Sequence, residues 1–280
     1  MKPASFELFR PTTIDEALHL LNRFGDDARL ISGGQSLVPM MNLRLATPGI
    51  LIDLNGIERL SGVTRVADRV VVGAMTRQQF LLQNEIIRKD VPLLARALSH
   101  VGHYQTRCRG TIGGSLSHAD PSAEMSLVAL TLGATLTIQK AGHVRIVTPQ
   151  DFFQDAMITV LEAEELLAEI SFPVASDDCR IAFHEFSRKH GDFAIAAAAA
   201  QWSPSQKTLT IGLGGVTSTP FICQQICEAA KAGAPLVTLE ELIEAELDQI
   251  EPLEDVHTSA GYRRELGSVC LSRCLRELFF

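Results

Sequence analysis

The chain has 280 residues, 46% of them hydrophobic and 21% charged, the balance of a globular protein long enough for one large core or two smaller ones. Its net charge of -8 argues against nucleic acid as a partner, because phosphate-binding surfaces are basic. No apolar run approaches the roughly 20 residues that span a bilayer, and the start Met1-Lys-Pro-Ala-Ser-Phe-Glu7 has no apolar signal core, so the expected location is the cytoplasm.

Along the chain, Thr13 and Glu16 form a capping-box pattern, and Ile14, Ala17, Leu18 and Leu21 make one apolar helical stripe that Gly25 closes. Residues 28–31 read as a strand running into Ser32-Gly33-Gly34-Gln35-Ser36-Leu37. An apolar turn of helix follows over 38–45, then a buried strand over 50–54. Residues 56–75 read as antiparallel strands. Thr76 and Gln79 repeat the capping-box pattern and predict a helix through Ile87. A further helix runs from Val91 to Val101 and closes at Gly102. A stretch of loop character then leads into Thr111-Ile112-Gly113-Gly114-Ser115. Asp120-Pro121 suits the start of the next helix, with Asp120 as cap.

Residues 135–138 and 144–147 predict a hairpin about Ala141-Gly142, and 165–172 a strand stopped by Pro173. Residues 174–178 read as a linker. Ala194 to Ala200 is nearly all alanine, which propensity alone makes a helix; the hairpin-like flanks favour a strand instead. Residues 207–211 are a clearer strand. From Phe221 onward the pattern is helical, ending in an amphipathic helix over 261–280.

The two glycine pairs carry the chemistry. Glycine permits positive φ and close backbone approach, and consecutive N–H groups in such turns form an anion-binding concavity. Ser36 and Ser115 set a hydroxyl beside those amides, as a phosphate oxygen requires. Two such loops predict a grip on a pyrophosphate, although a single one is more often only a turn.

Other motifs carry less. Gly212-Leu-Gly214 follows a strand, but Thr217 stands where the third glycine of a dinucleotide fingerprint belongs. Neither a Gly-x-x-x-x-Gly-Lys loop nor a Gly-x-Ser-x-Gly elbow is present. His184-Glu185 lacks the second zinc histidine, since position 188 is Arg188. His118, Asp120 and Glu124 could be read as metal ligands; the preferred reading has Asp120 capping a helix and His118 facing the ligand loop, with no metal. The six cysteines include two i, i+4 pairs, Cys223/Cys227 and Cys270/Cys274, without the Cys-x-x-Cys spacing of metal sites, and are expected to be small buried apolar residues. Trp202 is expected in the core.

Ser32 to Leu37, Asp53-Leu54-Asn55 and Thr111 to Pro121 resemble the FAD-binding medium subunits of bacterial molybdenum hydroxylases, the carbon monoxide dehydrogenase, quinoline oxidoreductase and nicotine dehydrogenase groups, with xanthine dehydrogenase more distant. Gly191-Asp-Phe-Ala194, Gly214-Gly-Val216, Thr219-Pro220 and Tyr262-Arg-Arg264 extend the resemblance over nearly the whole chain.

The resemblance implies an α+β fold: a two-lobed FAD-binding domain over 1–174 (lobes about 1–55 and 56–174), then a C-terminal domain over 178–280 with a three-stranded sheet and helices. It implies that Ser32, Gly33, Gly34, Gln35, Ser36 and Leu37, with Thr111, Ile112, Gly113, Gly114 and Ser115, hold the FAD pyrophosphate and ribityl region. His118 and Asp120 join this cofactor-binding set. Glu124 would make an acidic flavin contact, Leu167 would meet the ring or adenine part, Phe193 would lie near the isoalloxazine, and Val101 beside the ring. Where relatives carry lysine near 184 or 185 this chain has His184 and Glu185, so a cationic flavin contact there is not expected.

The implied partners are a small subunit with [2Fe-2S] clusters, a large subunit with the molybdenum cofactor, and an external electron acceptor; no proton-transfer residue is implied. Two alternatives stand beside this reading. One is a self-contained FAD oxidoreductase, for which Tyr104 or His118 would be the proton donor or acceptor. The other is an interaction subunit that has lost flavin, against which the intact glycines and serines argue.

Overall fold

In a computed structural model, residues 2–279 are described, and they form four sheets with helices packed against them. The predicted strand–helix–strand lobe is present. Strands Glu7–Phe9 and Ala28–Ile31 flank Ile50–Asp53 in a parallel three-stranded sheet. Helix Ile14–Phe24 covers it with Ala17, Leu18 and Leu21 buried. Its capping box forms as the sequence indicates: Glu16 N donates to Thr13 Oγ1 at 3.2 Å, and Thr13 N to Glu16 Oε2 at 3.3 Å.

An antiparallel five-stranded sheet follows, in spatial order Val63–Val66, Arg69–Gly73, Leu166–Pro173, Thr135–Lys140, His143–Val147. The hairpin about Gly142 is among its elements. The helix expected from Thr76 to Ile87 is instead two short helices, Gln78–Gln83 and Glu85–Asp90. Thr76 is not their cap. Its hydroxyl is drawn back to Gly62, accepting from the Gly62 amide at 2.9 Å, and Asn84 caps the second helix. Tertiary partners outcompete the local capping pattern there. The helix predicted over 91–101 is shorter, Pro92–Leu98, and the chain turns at Gly102 with φ of +47°.

The last sheet, Arg180–Ser187, Ala194–Ser203, Thr208–Gly214, is antiparallel and carries a two-residue fourth strand, Phe221–Ile222, at its edge. The alanine run is its second strand. Ala197 and Ala199 face the core built with helices Pro92–Leu98 and Glu124–Thr131. Ala196, Ala198 and Ala200 face the opposite core, built with helix Ala260–Phe279. Helices lie on both faces, and alanine lets both approach closely. Cys270 and Cys274, one turn apart on the last helix, put their thiols 3.6 and 3.4 Å from the carbonyls of Ala196 and Ala198.

Cys223, Cys270 and Cys274 are buried and Cys108, Cys179 and Cys227 half-buried. Burial pushes the Cys227 thiol up to about 11 and Cys270 up to about 12, so both are protonated, unreactive packing groups. Trp202 is half-buried and its ring lies 5.3 Å from that of Phe279. Phe280, at the end of the predicted last helix, lies outside the described residues. Among the described residues no helix is long and apolar enough to cross a membrane.

Candidate functional site

The two glycine segments, 79 positions apart in the chain, meet in space. Thr111 Oγ1 donates to Ser32 Oγ at 3.2 Å. A Cβ on Gly33 would lie 2.3 Å from the carbonyl oxygen of Arg109, and a Cβ on Gly114 would lie 2.5 Å from Ser32 Oγ. Contacts under 3.0 Å are not tolerated by real side chains, so these glycines let the two segments close on each other. Close approach here serves chain against chain, which sequence reasoning assigned to the ligand alone.

The segments differ in their amides. Gly34 takes φ of +70°, and helix Leu37–Asn42 begins just beyond it. The N–H groups of Gly34, Gln35, Ser36 and Leu37 find no acceptor among the described residues. This is a run of open donors at a strand's exit, the geometry of an anion nest. In the second segment the expected turn is the first turn of a helix, Ile112–His118, capped by Thr111. Its amides are engaged. Ile112 donates to Thr76 O at 3.1 Å, Gly113 to Ala74 O at 2.8 Å, Gly114 to Thr111 Oγ1 at 3.1 Å, and Ser115 to Thr111 O at 3.1 Å. What it offers outward is the hydroxyl of the half-buried Ser115, since Thr111 is buried and its hydroxyl is held between Ser32 Oγ and Gly114 N. The stretch of loop character before it contains helix Tyr104–Arg109.

A brace behind the first loop escaped the sequence reading. Asn55 Nδ2 donates to Ser32 O at 2.9 Å, and Asn55 N donates to Asp53 Oδ1 at 3.0 Å. Arg77 reaches both Asn55 Oδ1 and the Arg109 carbonyl that lies against Gly33. Burial, then the charge of Arg109, moves the Arg77 guanidinium below its ordinary value. Asp53-Leu54-Asn55 was visible as a motif; Arg77 was hidden inside an apparent helix cap.

The other candidate residues fall around this pair. His118 ends helix Ile112–His118 half-buried, followed by Ala119 in the left-handed region at φ of +50°. Asp120 does not cap a helix: its Oδ1 accepts from Ser122 N at 2.9 Å, closing a turn. The helix starts only at Glu124, because Pro121 O is held by Gly215 N at 2.9 Å and Ala119 O by Met157 N at 2.9 Å. Leu167 is buried beside a bulge in strand Leu166–Pro173, next to the Ala168 carbonyl that accepts from Ala74 N. Val101 is also buried, so its side chain belongs to the core, and its carbonyl accepts from Arg107 Nη1 at 3.0 Å. Phe193 is 66% exposed and follows Gly191, whose missing Cβ makes room for the His103 ring and the Gly102 carbonyl. The structure thus joins the Val101–His103 turn to the Gly191–Phe193 loop.

Glu124 is buried at the first turn of its helix. Burial pushes its carboxyl up to about 8, against the lowering effect of its own backbone N–H; the nearby charges of Glu185 and Asp120 push the same way as burial. His184 turns outward to Glu277, Nε2 to Oε2 2.7 Å, and Glu185 turns inward to His100, 3.3 Å from its Nδ1. Among the described residues no group of three His, Cys, Asp or Glu side chains is arranged to hold a metal.

Open amides at a strand exit, with the Ser115 hydroxyl of a second segment beside them, fit a diphosphate better than a metal or an acyl substrate. Comparison with known proteins agrees. Residues 4–175 match the FAD binding domain in molybdopterin dehydrogenase, and residues 181–278 the CO dehydrogenase flavoprotein C-terminal domain. The caffeine dehydrogenase subunit beta of Pseudomonas sp. (strain CBB1) is 36% identical over 98% of this chain and 95% of its own. The carbon monoxide dehydrogenase medium chain of Afipia carboxidovorans is 35% identical over 99% and 98%. The solved carbon monoxide dehydrogenase of Hydrogenophaga pseudoflava superposes with a TM-score of 0.96 at 32% identity, covering 100% of this chain and 99% of that one. The chain therefore belongs to the FAD-binding medium subunits of the molybdenum hydroxylases, a family of multi-subunit oxidoreductases.

Proposed function

We propose that this chain is the electron-relay subunit of a molybdenum hydroxylase, receiving electrons from a [2Fe-2S] cluster of a small partner subunit and delivering them to an external acceptor, in the cytoplasm. The substrate would be oxidised on a large partner subunit at the molybdenum cofactor. Bound FAD supplies the redox chemistry, since it exchanges electrons singly or in pairs. The chain's residues bind and orient it, and no side chain is assigned a proton-transfer step.

The observation that carries this reading is the row of open amides at Gly34, Gln35, Ser36 and Leu37, set beside the Ser32–Thr111 contact. In this reading residues 32–37 hold the pyrophosphate through backbone N–H groups. Thr111 to Ser115 contribute the Ser115 hydroxyl and a rigid floor. Helix Leu37–Asn42 adds the positive end of its peptide dipoles. Glu124, Leu167 and Phe193 line the flavin end, with His118 and Asp120 on the turn between them and Val101 contributing backbone. Residues 1–174 form the cofactor domain and 178–280 the second domain, across which Gly215 N and Pro121 O are bonded.

The test is binding by the purified full chain after mild removal of flavin. FAD should bind and quench its fluorescence, while riboflavin, which lacks the diphosphate, should bind far more weakly. Equal affinity for the two would refute the pyrophosphate assignment. Stopped-flow reduction of the bound flavin by a reduced iron–sulfur partner, and its absence with a small organic substrate alone, tests the relay against the self-contained oxidoreductase. Tyr104, one proton donor that second reading would use, lies 61% exposed on the helix before the second glycine pair.

A further inference from the structure

Gly214-Gly-Val216 and Tyr262-Arg-Arg264 stand outside the cofactor site, yet one side chain ties them to it. Of the residues at 262–264, Tyr262 is exposed and Arg264 turns outward to Glu244 and Asp248. Arg263 turns inward, with 8% of its side chain exposed. Its Nη1 donates to Ile195 O and to Gly215 O, each at 2.8 Å, and its Nη2 to the Asp255 carboxylate. The two carbonyls lie just past the point where the ladder between strands Ala194–Ser203 and Thr208–Gly214 stops, at the pair Ala197–Gly214. The guanidinium bonds what the ladder no longer can. Gly215 makes room for this: it takes φ of +77°, and a Cβ there would lie 3.0 Å from Ile195 O.

Packing alone does not call for arginine here. A buried guanidinium costs free energy unless its donors are paired, and Nε of Arg263 is buried with no acceptor among the described residues. What the fork provides is a fixed link between two separate stretches. On one side, Ile195 follows the Gly191–Phe193 loop by two residues. On the other, Gly215 donates its amide to Pro121 O at 2.9 Å, which holds the turn ahead of Glu124. We infer that Arg263 is a positioning residue for the flavin end of the site: through Ile195 and Gly215 it sets Phe193 and the Asp120–Glu124 turn at a fixed spacing, from a buried place behind them. This rests on the placing of Phe193 and Glu124 at the flavin proposed above; the hydrogen-bonded link itself does not. Asp255 aims the fork. Its Oδ1 accepts from His257 N at 2.7 Å and from Thr258 N at 2.9 Å. The same segment is tied to the glycine turn, Leu253 N donating to Val216 O at 2.7 Å. Lysine would keep the charge, but its single nitrogen cannot span two carbonyls and a carboxylate in this planar arrangement.

The experiment measures FAD and ADP affinity side by side on the flavin-free full chain, for wild type, Arg263→Lys, Asp255→Asn and Phe193→Ala, with thermal melting as the check of fold. ADP carries the diphosphate and lacks the isoalloxazine, so it engages only the diphosphate and adenosine side. Arg263→Lys should weaken FAD about tenfold, the size of a lost hydrogen bond to a charged group, and leave ADP within about twofold of wild type. Asp255→Asn, on a segment where Asp255 is 45% exposed, should shift the FAD-to-ADP ratio the same way by less, and it decides the matter if Arg263→Lys does not fold. Equal loss of both ligands, or loss of neither, overturns the proposal, since an arginine that only stabilised the fold would act on both alike. Phe193→Ala separates this inference from the reading beneath it. A loss confined to FAD in Phe193→Ala, with an unchanged ratio in Arg263→Lys, keeps the flavin end where it is placed and refutes the positioning role. A loss confined to FAD in Arg263→Lys, with none in Phe193→Ala, keeps the positioning role, exerted through Gly215 and Pro121, and refutes the placing of Phe193 at the flavin.

Discussion

Gly33-Gly34 and Gly113-Gly114 look interchangeable in the sequence, each a glycine pair with a serine close behind. In space the first is a loop with open N–H groups at Gly34 to Leu37, and the second is the opening turn of a capped helix whose amides are already bonded. In the proposed reading the first receives the anion, and the second holds the first in place. The physical difference is where the missing Cβ points. At Gly33 and Gly113 it would strike neighbouring chain, Arg109 and Ala74, whereas at Gly34 the backbone takes a positive φ and leaves its donors unpaired. Sequence similarity between two loops thus says little about which one carries a ligand.

The sharpest way to break this division is at the contact itself. Gly33→Ala drives a Cβ to 2.3 Å from the Arg109 carbonyl, which is backbone and cannot swing aside. Overpacking of this kind costs about 1–3 kcal/mol, and we expect both a lower melting temperature and loss of FAD binding. Gly113→Ala, 2.4 Å from the Ala74 side chain, should destabilise to a similar extent. The flavin-free protein should show this loss in full, since the position faces the fold and not the ligand. Equal stability of the Gly113→Ala variant and wild type would contradict the scaffold role.

Smaller effects sharpen the contrast. Gly34→Ala places a side chain at φ of +70°, a left-handed strain of about 1–2 kcal/mol. It should weaken FAD more than it lowers the melting temperature. Asn55→Ala removes the bond to Ser32 O and leaves Arg77 with one acceptor fewer; a loss of about 1 kcal/mol is expected, read as a several-fold weaker FAD affinity in fluorescence titration. Smallest is the serine pair. Ser36→Ala leaves the open amides intact and should weaken FAD only modestly, about 0.5–1.5 kcal/mol for one hydrogen bond. Ser115→Ala should do about the same if the second segment offers only hydroxyls. A far larger effect at Ser115 than at Gly34 would reverse the assigned roles.

Much of the frame could be read in advance because its signals are local. The Thr13–Glu16 capping box, the hairpin about Gly142 and the strands on either side of the first glycine loop need only neighbours in sequence to form. Other readings failed where a distant partner intervened. Thr76 abandoned its cap for Gly62, and Asp120 closed a turn because Gly215 and Met157 hold the carbonyls around it. The brace of Asn55 and Arg77 was invisible for the same reason, since its three contacts come from separate stretches of chain.

By itself the sequence determined the local elements and the two glycine loops, because glycine's freedom and the alternation of apolar residues are properties of short segments; the α+β fold and the flavin came with the family resemblance that those motifs carry. Tertiary structure alone decided which glycine pair keeps its amides open. It also turned Ala194–Ser203 into a central strand against its helical propensity: with helices on both faces, only small side chains fit, and packing from two sides outweighs a preference of a few tenths of a kcal/mol per residue. It also buried Glu124 in the first turn of its helix, where low polarity pushes the carboxyl up to about 8.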